Sequence, residues 1–523
     1  MPKLTIDNLE VEVETGGTIL DAANALGVDI PSMCFLKGCT PSTSCMVCVV
    51  KVEGIGGMVP ACATVVTDAM VVHSETDEIR KARTTALELL LSDHLGDCMG
   101  PCHVTCPATM DIPLMIRQIA DGNMQAAIET VKKDIALPAI LGRICPAPCE
   151  RSCRRASHDQ AVSICLLKRY VADIDLASDS PFSPFCQPKK GKSVAIIGAG
   201  PAGLSAAYYL LQQGYDCTIF DDHEKPGGMI RYGVSREQLA AEVIDREIAR
   251  IEKLGAAFKF NCRVGTDISI EKIRDDFHAV FIAAGQIACD EGEYLGVEVV
   301  NNSMRYDRTT YQTNLDGVFA GGDVTGKRQI AVRASAHGKE AAVSMGQYLS
   351  GEKVTGSAKP FNSRIGKMDP EELNGLVASV SDQQRITPSQ NDGGFDDEQA
   401  IAESLRCLHC DCRKPATCKL RQYSLQYAAR GNRYKSQRRR FVQQLDHPEI
   451  IYESGKCIDC GLCIQIARQN GEALGLSFIG RGFDVKVATP FGRSIADGLK
   501  KSAGKCVQAC PTGALAFNDN RKK

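Results

Sequence analysis

A chain of 523 residues, 44% hydrophobic and 24% charged, has the length of about three to five packed domains. Its formal net charge of −2 gives no electrostatic ground for nucleic-acid or membrane-surface binding, and no run of about 18 apolar residues is present to span a bilayer. The start, Met1-Pro-Lys-Leu-Thr-Ile6, lacks a basic and then apolar leader, so a cytoplasmic protein is expected, and its 25 cysteines then point to metal or cluster ligation rather than disulfides.

Residues 1–80 open with alternating apolar residues, Leu4-x-Ile6 and Val11-x-Val13, around Asp7-Asn8. Gly16-Gly17 interrupts them, and Ile19 to Leu26 has the period of a short amphipathic helix. Cys34, Cys39, Cys45, Cys48 and Cys62 follow. The plant-type [2Fe–2S] spacing fails, because Ser42 stands where a cysteine is required. That leaves Cys34, Cys45, Cys48 and Cys62 as the candidate set and Cys39 as a non-ligand. Thiolates are soft, anionic donors that suit iron, with zinc as the alternative. Pro31-Ser-Met-Cys34, Cys45-Met-Val-Cys48-Val-Val-x-Val-Glu-Gly54, Ala61-Cys62 and Leu87-Glu-Leu-Leu-Leu-Ser-x-His94 resemble the N-terminal domain of the large iron–sulfur subunit of NADH dehydrogenase and of multimeric hydrogenases. The resemblance implies a β-grasp, ferredoxin-like domain holding one [2Fe–2S] cluster.

Residues 81–190 read as helical, with Arg80 to Ser92, Ile112 to Asp121 and Met124 to Lys133 periodic. They carry Cys98-x3-Cys102-x3-Cys106-Pro107 and Gly142-Arg-Ile-Cys145-Pro-Ala-Pro-Cys149-Glu-Arg-Ser-Cys153. These strings resemble the N-terminal helical domain of the glutamate synthase small subunit and of dihydropyrimidine dehydrogenase, which implies a pair of [4Fe–4S] clusters with interleaved ligands. Carried over by position, Cys102 and Cys153 belong to one cluster, and Cys106, Cys145 and Cys149 to the other. The family's further upstream cysteines are missing; His94 and Cys98 stand nearest, so His94, Cys98, Cys102 and Cys153 form the expected set, or His94 only caps the preceding helix. The family's remaining ligand falls near Lys168, which cannot ligate while protonated. Cys165 is the nearest substitute, unless it is an apolar core cysteine.

Residues 191–351 hold Val194-Ala-Ile-Ile-Gly198-Ala-Gly200-Pro201-Ala202-Gly203-Leu204, a strand run into a glycine turn and helix. The strand Cys217-Thr-Ile-Phe220 and Asp221 follow at the spacing of a dinucleotide fold. Glycines admit a pyrophosphate to the backbone, the helix N-terminus faces its charge, and the acid can take a ribose hydroxyl. Pro226-Gly-Gly228-Met-Ile-Arg-Tyr-Gly233-Val-Ser-Arg236, a strand ending at Gly285, and Asn314-Leu-Asp-Gly-Val-Phe-Ala-Gly-Gly322-Asp323 match the same family's flavin-wrapping string and second fingerprint. That resemblance implies FAD. The family inserts a second nucleotide domain after the strand that ends at Gly285; here 35 residues separate Gly285 from Gly321, against on the order of 100 for a domain. A Rossmann-like FAD domain without the NAD(P)H insert is expected.

Residues 352–399 are polar, with scattered Pro, Gly, Asp and Ser, and read as a linker. Residues 400–425 carry Cys407, Cys410, Cys412 and Cys418, a set for a [4Fe–4S] cluster or structural zinc. Arg430 to Arg440 holds six basic residues beside Tyr434; a solvated or partner-facing surface is expected rather than nucleic-acid binding. Within 426–523, Cys457-x2-Cys460-x2-Cys463 and Cys506-x3-Cys510-Pro511 resemble a bacterial two-cluster ferredoxin. That resemblance implies one [4Fe–4S] cluster on Cys457, Cys460, Cys463 and Cys510, since the second cluster's positions hold Ala467, Lys500 and Ala503.

The fold expected is multidomain α/β and α+β. The function expected is an electron-transfer flavo-iron–sulfur subunit with FAD, one [2Fe–2S] and four [4Fe–4S] clusters. It would relay electrons between a partner catalytic subunit and FAD or ferredoxin, possibilities that include electron bifurcation. No acid–base or nucleophile constellation stands out. The alternatives are a stand-alone NAD(P)H-dependent oxidoreductase of the glutamate synthase small-subunit type and a zinc- and FAD-stabilised scaffold.

Overall fold

The computed structural model describes residues 1–288, 291–326, 330–388, 393–434 and 438–518. The chain forms two compact units. Unit 1 comprises Met1–Gly100, Pro360–Ser379 and Cys410–Lys523, and unit 2 comprises Pro101–Lys359 and Val380–His409.

Unit 1 opens with a sheet of β1 (Lys3–Ile6), β2 (Leu9–Glu12), β3 (Val49–Val52), β4 (Met58–Pro60) and β5 (Met70–His73), in the order β2-β1-β5-β3-β4. Only the central β1–β5 pair is parallel. Alternation puts Leu4, Ile6, Val50 and Val72 inside, against Ile19 and Leu20 of the helix Ile19–Leu26. That helix starts on a reciprocal Thr18–Asp21 capping box and stops at Gly27, whose φ of +72° favours glycine. The helix Asp77–Asp93 belongs to this unit rather than to a domain starting at residue 81. Its buried Arg83 donates to the carbonyls of Val49 and Ser74 at 3.0 and 2.9 Å and to the Tyr427 hydroxyl at 2.9 Å. The C-terminal part pairs Ile450–Glu453 antiparallel with Gln443–Gln444 and Leu515–Phe517, beside the helices Leu462–Gln469 and Ala503–Ala509.

The segment expected as a linker is built into both units. Its first part forms the helix Pro370–Val377, started by an Asp369–Glu372 capping box, with Leu373 and Leu376 buried. The buried Glu372 carboxylate accepts from Arg438 and from the Phe441 amide at 2.6 Å. This explains the basic run. Arg433 pairs with Glu88, Arg438 with Glu372, Arg439 with Asp93 and Arg440 with Glu371, so much of its charge is neutralised inside unit 1 instead of facing a partner. Lys435 of that run lies outside the described residues.

Unit 2 is built on a five-stranded parallel sheet. Its strands β6 (Ser193–Ile197), β7 (Asp216–Phe220), β8 (Ala257–Lys259), β9 (Ala279–Ile282) and β10 (Val318–Ala320) run in the order β10-β9-β6-β7-β8. Continuous burial along β6 and β9 reflects cover on both faces. The helices Pro201–Gln212 and Ala331–Leu349 pack so closely that a Cβ at Gly338 would lie 2.1 Å from the Ala202 carbonyl. Between β9 and β10 the chain forms a small antiparallel sheet of Glu291–Tyr294, Val297–Val300 and Ser303–Met304. No second parallel nucleotide sheet occurs among the described residues. A helical layer of Ile112–Ala120, Met124–Asp134, Pro138–Ile144 and Ile164–Ala177 joins the sheet layer through Glu247, which accepts from the Ala139 and Ile140 amides at 3.0 and 2.9 Å. Residues 380–409 complete this unit. Arg155 donates to the carbonyls of Ser381 and Arg406 at 2.7 Å, and Arg406 pairs with Glu403 at 2.8 Å.

Candidate cofactor-binding sites

The loop ahead of β3, carrying Cys34, Cys45 and Cys48, meets Cys62 just after β4, and all four are buried. The Cys34 and Cys45 sulfurs lie 3.3 Å apart. Hydrogen bonding from Cys45 and then Cys62 holds Cys34 well below the usual thiol range, and bonding from Cys62 lowers Cys48 to about 7. The four sulfurs therefore interlock as the sequence grouped them. Cys39 is outside the group, its sulfur 3.9 Å from Gln469 Nε2.

The C-terminal cysteines converge in the same unit. A left-handed Asp459 and Gly461 turn the loop so that Cys457, Cys460 and Cys463 precede or open the helix Leu462–Gln469, while Cys510 ends the helix Ala503–Ala509. Burial raises the thiols of Cys457, Cys460 and Cys463, and each also interacts with Cys510. Burial thus favours the neutral thiols, and metal ligation has to displace their protons. Cys460 also interacts with Cys34, and its carbonyl accepts from Ser42 Oγ at 3.0 Å.

The expected groupings around residues 94–153 and 407–418 are redistributed. His94 and Cys98 lie in unit 1, whereas Cys102 and Cys153 lie in unit 2; Cys407 lies in unit 2, whereas Cys410, Cys412 and Cys418 lie in unit 1. Spacing groups residues close in sequence, but the chain leaves unit 1 between Cys98 and Cys102 and re-enters it between Cys407 and Cys410. In unit 1 the Cys412 amide donates to the Cys98 carbonyl at 3.4 Å, and Cys98 Sγ accepts from the Ser363 amide at 3.4 Å. Cys418 caps the helix Lys419–Gln426; burial pushes its thiol up to about 12, with further contributions from Cys412, Cys98 and Cys510. His94 is fully enclosed. Burial, followed by the Lys456 charge, lowers it to about 4, so the ring is neutral, and its Nδ1 has no hydrogen-bond partner.

In unit 2, Cys106, Cys145, Cys149, Cys165 and Lys168 line one cavity with Ile112, Ile164 and Val332. Cys165 interacts first with Cys145 and then with Cys149 and stands at about 11, while its amide donates to Glu150 Oε1 at 2.9 Å. The four cysteines thus line one common cavity. Lys168 occupies the same cavity and donates to the Leu141 carbonyl at 3.2 Å. Burial works to lower its pKa, but Cys165, Cys145, Cys149 and Cys106 outweigh this and leave it raised. Cys407 is buried in the apolar cluster that also contains Cys106 and Cys149, with Cys102, Cys145 and Cys153 packed against it. Sequence spacing gave no signal for this company.

A single ion would draw its donors close together. Tetrahedral zinc sets its sulfurs about 3.8 Å apart, from a Zn–S bond near 2.3 Å. Among the described residues, the sole set of three such donors within 4.8 Å of one another is Asp221, Asp222 and His223.

The glycine turn is built to admit a ligand. Gly198 has φ +108°, and a Cβ there would lie 2.4 Å from the Ala283 carbonyl; one at Gly203 would lie 2.0 Å from the Gly198 carbonyl. Above Gly200 nothing lies within 4 Å. Pro201 and Ala202 begin the helix there, and Gly228, at φ +51°, approaches Gly200. The buried Asp221 accepts from the Ala199 amide at 2.6 Å and from the His223 amide at 2.9 Å, so it braces the turn. The Gly322 amide donates to His337 Nδ1 at 3.2 Å, and Asp323 lies in the same short turn after β10. Gly285 follows β9 with φ +77°, and Arg236 is exposed.

These features define a multidomain α/β protein carrying iron–sulfur domains and a Rossmann-like nucleotide-binding domain. The 2Fe-2S iron-sulfur cluster binding domain matches residues 2–77, dihydropyrimidine dehydrogenase domain II with its 4Fe-4S cluster matches 91–180, and the NAD(P)-binding Rossmann-like domain matches 196–252. More particularly, the chain is similar to the NADPH-Fe(3+) oxidoreductase subunit beta of Geobacter sulfurreducens, 39% identical over 190 residues, covering 36% of this chain and 28% of that protein. It is 34% identical over 236 residues to the NAD-dependent dihydropyrimidine dehydrogenase subunit PreT of Salmonella typhimurium, covering 43% and 57%. It is 35% identical over 215 residues to the glutamate synthase [NADPH] small chain of Mycobacterium tuberculosis, covering 40% and 44%. The chain thus matches from 28% to 57% of the length of these relatives, all of which are oxidoreductase or synthase components. No helix among the described residues is long and apolar enough to cross a membrane.

Proposed function

We propose that the chain is an electron-transfer flavo-iron–sulfur subunit of a larger oxidoreductase complex, relaying electrons between a partner catalytic subunit and FAD or ferredoxin. The observation that carries this reading is the continuity of cysteine groups in unit 1: Cys34, Cys45, Cys418 and Cys460 share one buried cluster, with Cys457, Cys463 and Cys510 packed against it. Redox centres held on such adjacent groups exchange electrons over short distances. Relatives named as subunits and chains support placement in a complex.

FAD, when bound, supplies exchange of one or two electrons, and the clusters supply single-electron exchange. The chain's own contribution is to hold them. Gly198, Gly200, Pro201, Ala202 and Gly203 present open backbone and a helix N-terminus to a pyrophosphate. Asp221, Gly228, Arg236, Gly285, Gly322 and Asp323 complete the flavin site. Cys34, Cys45, Cys48 and Cys62 hold a [2Fe–2S] cluster in a β-grasp domain; Cys457, Cys460, Cys463 and Cys510 hold a [4Fe–4S] cluster, as do Cys106, Cys145, Cys149 and Cys165. Cys102, Cys153 and Cys407 supply donors for a further cluster.

Nicotinamide names among the relatives favour the rival reading, a direct NAD(P)H oxidoreductase. The small antiparallel sheet between β9 and β10 speaks against it. Anaerobic stopped-flow mixing separates the two. Dithionite or reduced ferredoxin should bleach the flavin and clusters, while NADH and NADPH should not; rapid bleaching by either nucleotide would reverse the proposal.

A further inference from the structure

We propose that unit 1 holds an additional iron–sulfur cluster on His94, Cys98, Cys412 and Cys418, residues that are separated by more than 300 positions in the chain and belong to no single motif. The inference deepens the electron-transfer reading and rests on its premise that the cysteine groups bind iron. Contacts, an unpartnered nitrogen and close approaches of the backbone support it.

Cys98 and Cys412 are stitched together by their backbones through the 3.4 Å amide-to-carbonyl hydrogen bond. Next to Cys418, the Lys419 amide donates to the Pro511 carbonyl at 2.8 Å, two residues before Gly513, which lies against Cys412 Sγ. The Lys456 side chain joins the rest: it lies against Gly96, between His94 and Cys98, and Gly513 lies against both it and Cys412 Sγ. Four donors from two distant stretches of chain are thereby gathered beside Lys456.

His94 is fully buried with an orphaned Nδ1. A buried imidazole nitrogen without a partner carries a desolvation penalty, which coordination of a metal removes. As the C-cap of the helix Asp77–Asp93 it has a structural role too, but only its backbone performs that role, donating from its amide to the Leu91 carbonyl at 3.3 Å.

The space around the sulfur is kept open by glycine. A Cβ at Gly513 would lie 2.3 Å from Cys412 Sγ, and one at Gly96 would lie 2.5 Å from Lys456 Cε. Neither glycine has a positive φ, so it is space rather than backbone conformation that excludes a side chain at both. The Ser363 amide aims at Cys98 Sγ, the kind of N–H···S contact that stabilises a thiolate and tunes a cluster.

The donors are also too spread for one tetrahedral ion, since no three of them fall within 4.8 Å of one another. A multinuclear core spans that distance, and a ligand set of one neutral imidazole and three thiolates carries one negative charge fewer than four thiolates. The buried Lys456–Glu453 ion pair beside it adds no net charge.

Iron and acid-labile sulfide per chain, measured on the full-length protein purified anaerobically, test the grouping. Cys98→Ser and Cys412→Ser should each lose about four irons, the content of one cubane, and the double variant should lose no more than either single one. Cys98→Ser/Cys102→Ser should lose about twice as much, because Cys102 belongs to a different site. Additive loss in the Cys98/Cys412 pair, or no added loss in the Cys98/Cys102 pair, would overturn the grouping. His94→Cys covers the case in which serine variants fail to fold: it should keep the full iron content while one EPR component of the reduced protein changes and its midpoint potential falls. An unchanged spectrum would remove His94 from the set. Zinc in place of iron in the unmutated protein would defeat the electron-transfer premise itself, an outcome distinguishable from failure of this grouping alone.

Discussion

Lys168 in unit 2 and Lys456 in unit 1 are both buried, 4% and 2% exposed, and both are surrounded by cysteines. They differ in their counter-charges. Lys456 forms an ion pair with Glu453, itself buried. Lys168 donates to the Leu141 carbonyl and has no carboxylate partner among the described residues, so the thiols of Cys165, Cys145, Cys149 and Cys106 are its compensation. An ammonium cannot stay buried without an anion. The lysine of unit 1 can therefore keep its charge whatever occupies the neighbouring site, whereas the lysine of unit 2 depends on negative charge at its four cysteines. One lysine stabilises the fold, and the other acts on whatever the cysteines hold.

Lys456→Met puts the largest strain on this contrast. It strands Glu453 and should cost about 3–5 kcal/mol, the usual penalty for breaking a buried pair. Lys456→Met/Glu453→Leu should recover most of that in anaerobic denaturant titrations. A single variant as stable as the parent would show that the pair contributes nothing. Lys168→Met should behave differently: unfolding changes less, while the midpoint potential of one cluster falls. Two charges about 6 Å apart at an effective dielectric near 20 interact by about 3 kcal/mol, on the order of 100 mV for one electron. Equal potentials in EPR-monitored titrations would mean that Lys168 only fills space.

Gly513→Ala sharpens the comparison from the other side. The added methyl displaces Cys412 Sγ, so iron should be lost from unit 1 while the EPR component that responds to Lys168→Met persists. The smallest effect expected is with pH. Arg438 holds Glu372 of unit 1 at about 2, and in unit 2 burial is outweighed by Arg155, which leaves Asp159 at about 2 as well. Both carboxylates lie below their unfolded values of about 4. Their contribution is complete above that value and is lost as pH falls toward 2. Because each unit carries one such group, acid should weaken both in the same window. Circular dichroism with two well-separated acid transitions would contradict this, and Glu372→Gln should flatten the unit 1 part.

Much of this was legible before any coordinates. The interval from Cys34 to Cys62 is local enough for spacing to group its cysteines, and the grouping of Cys106 with Cys145 and Cys149 came from the family resemblance of their two strings. Cys165 followed because Lys168 could not ligate. The strand, glycine turn, helix and acid of 194–221 appear where their periodicity put them. The association of Cys98 with Cys412 was not legible, because spacing carries no information on which distant stretches return to each other. The polar stretch 352–399 looked unstructured because its helix buries only Leu373 and Leu376, and its stability depends on Glu372 meeting arginines some 66 residues later. The partners of the basic run were hidden for the same reason: its acids, Glu88, Asp93, Glu371 and Glu372, are all remote in sequence.

The interleaving of the two units has a consequence for biogenesis. The cavity lined by Cys106, Cys145, Cys149 and Cys165 is supplied by residues 106–168 plus Val332, so metal insertion there can begin while the ribosome is still at work. His94 and Cys98 must wait for Cys412 and Cys418, more than 300 codons later. An early-emerging segment with exposed thiols and no partner for that long is vulnerable to oxidation and to capture of the wrong metal. Maturation of the first hundred residues is thereby tied to completion of nearly the whole message.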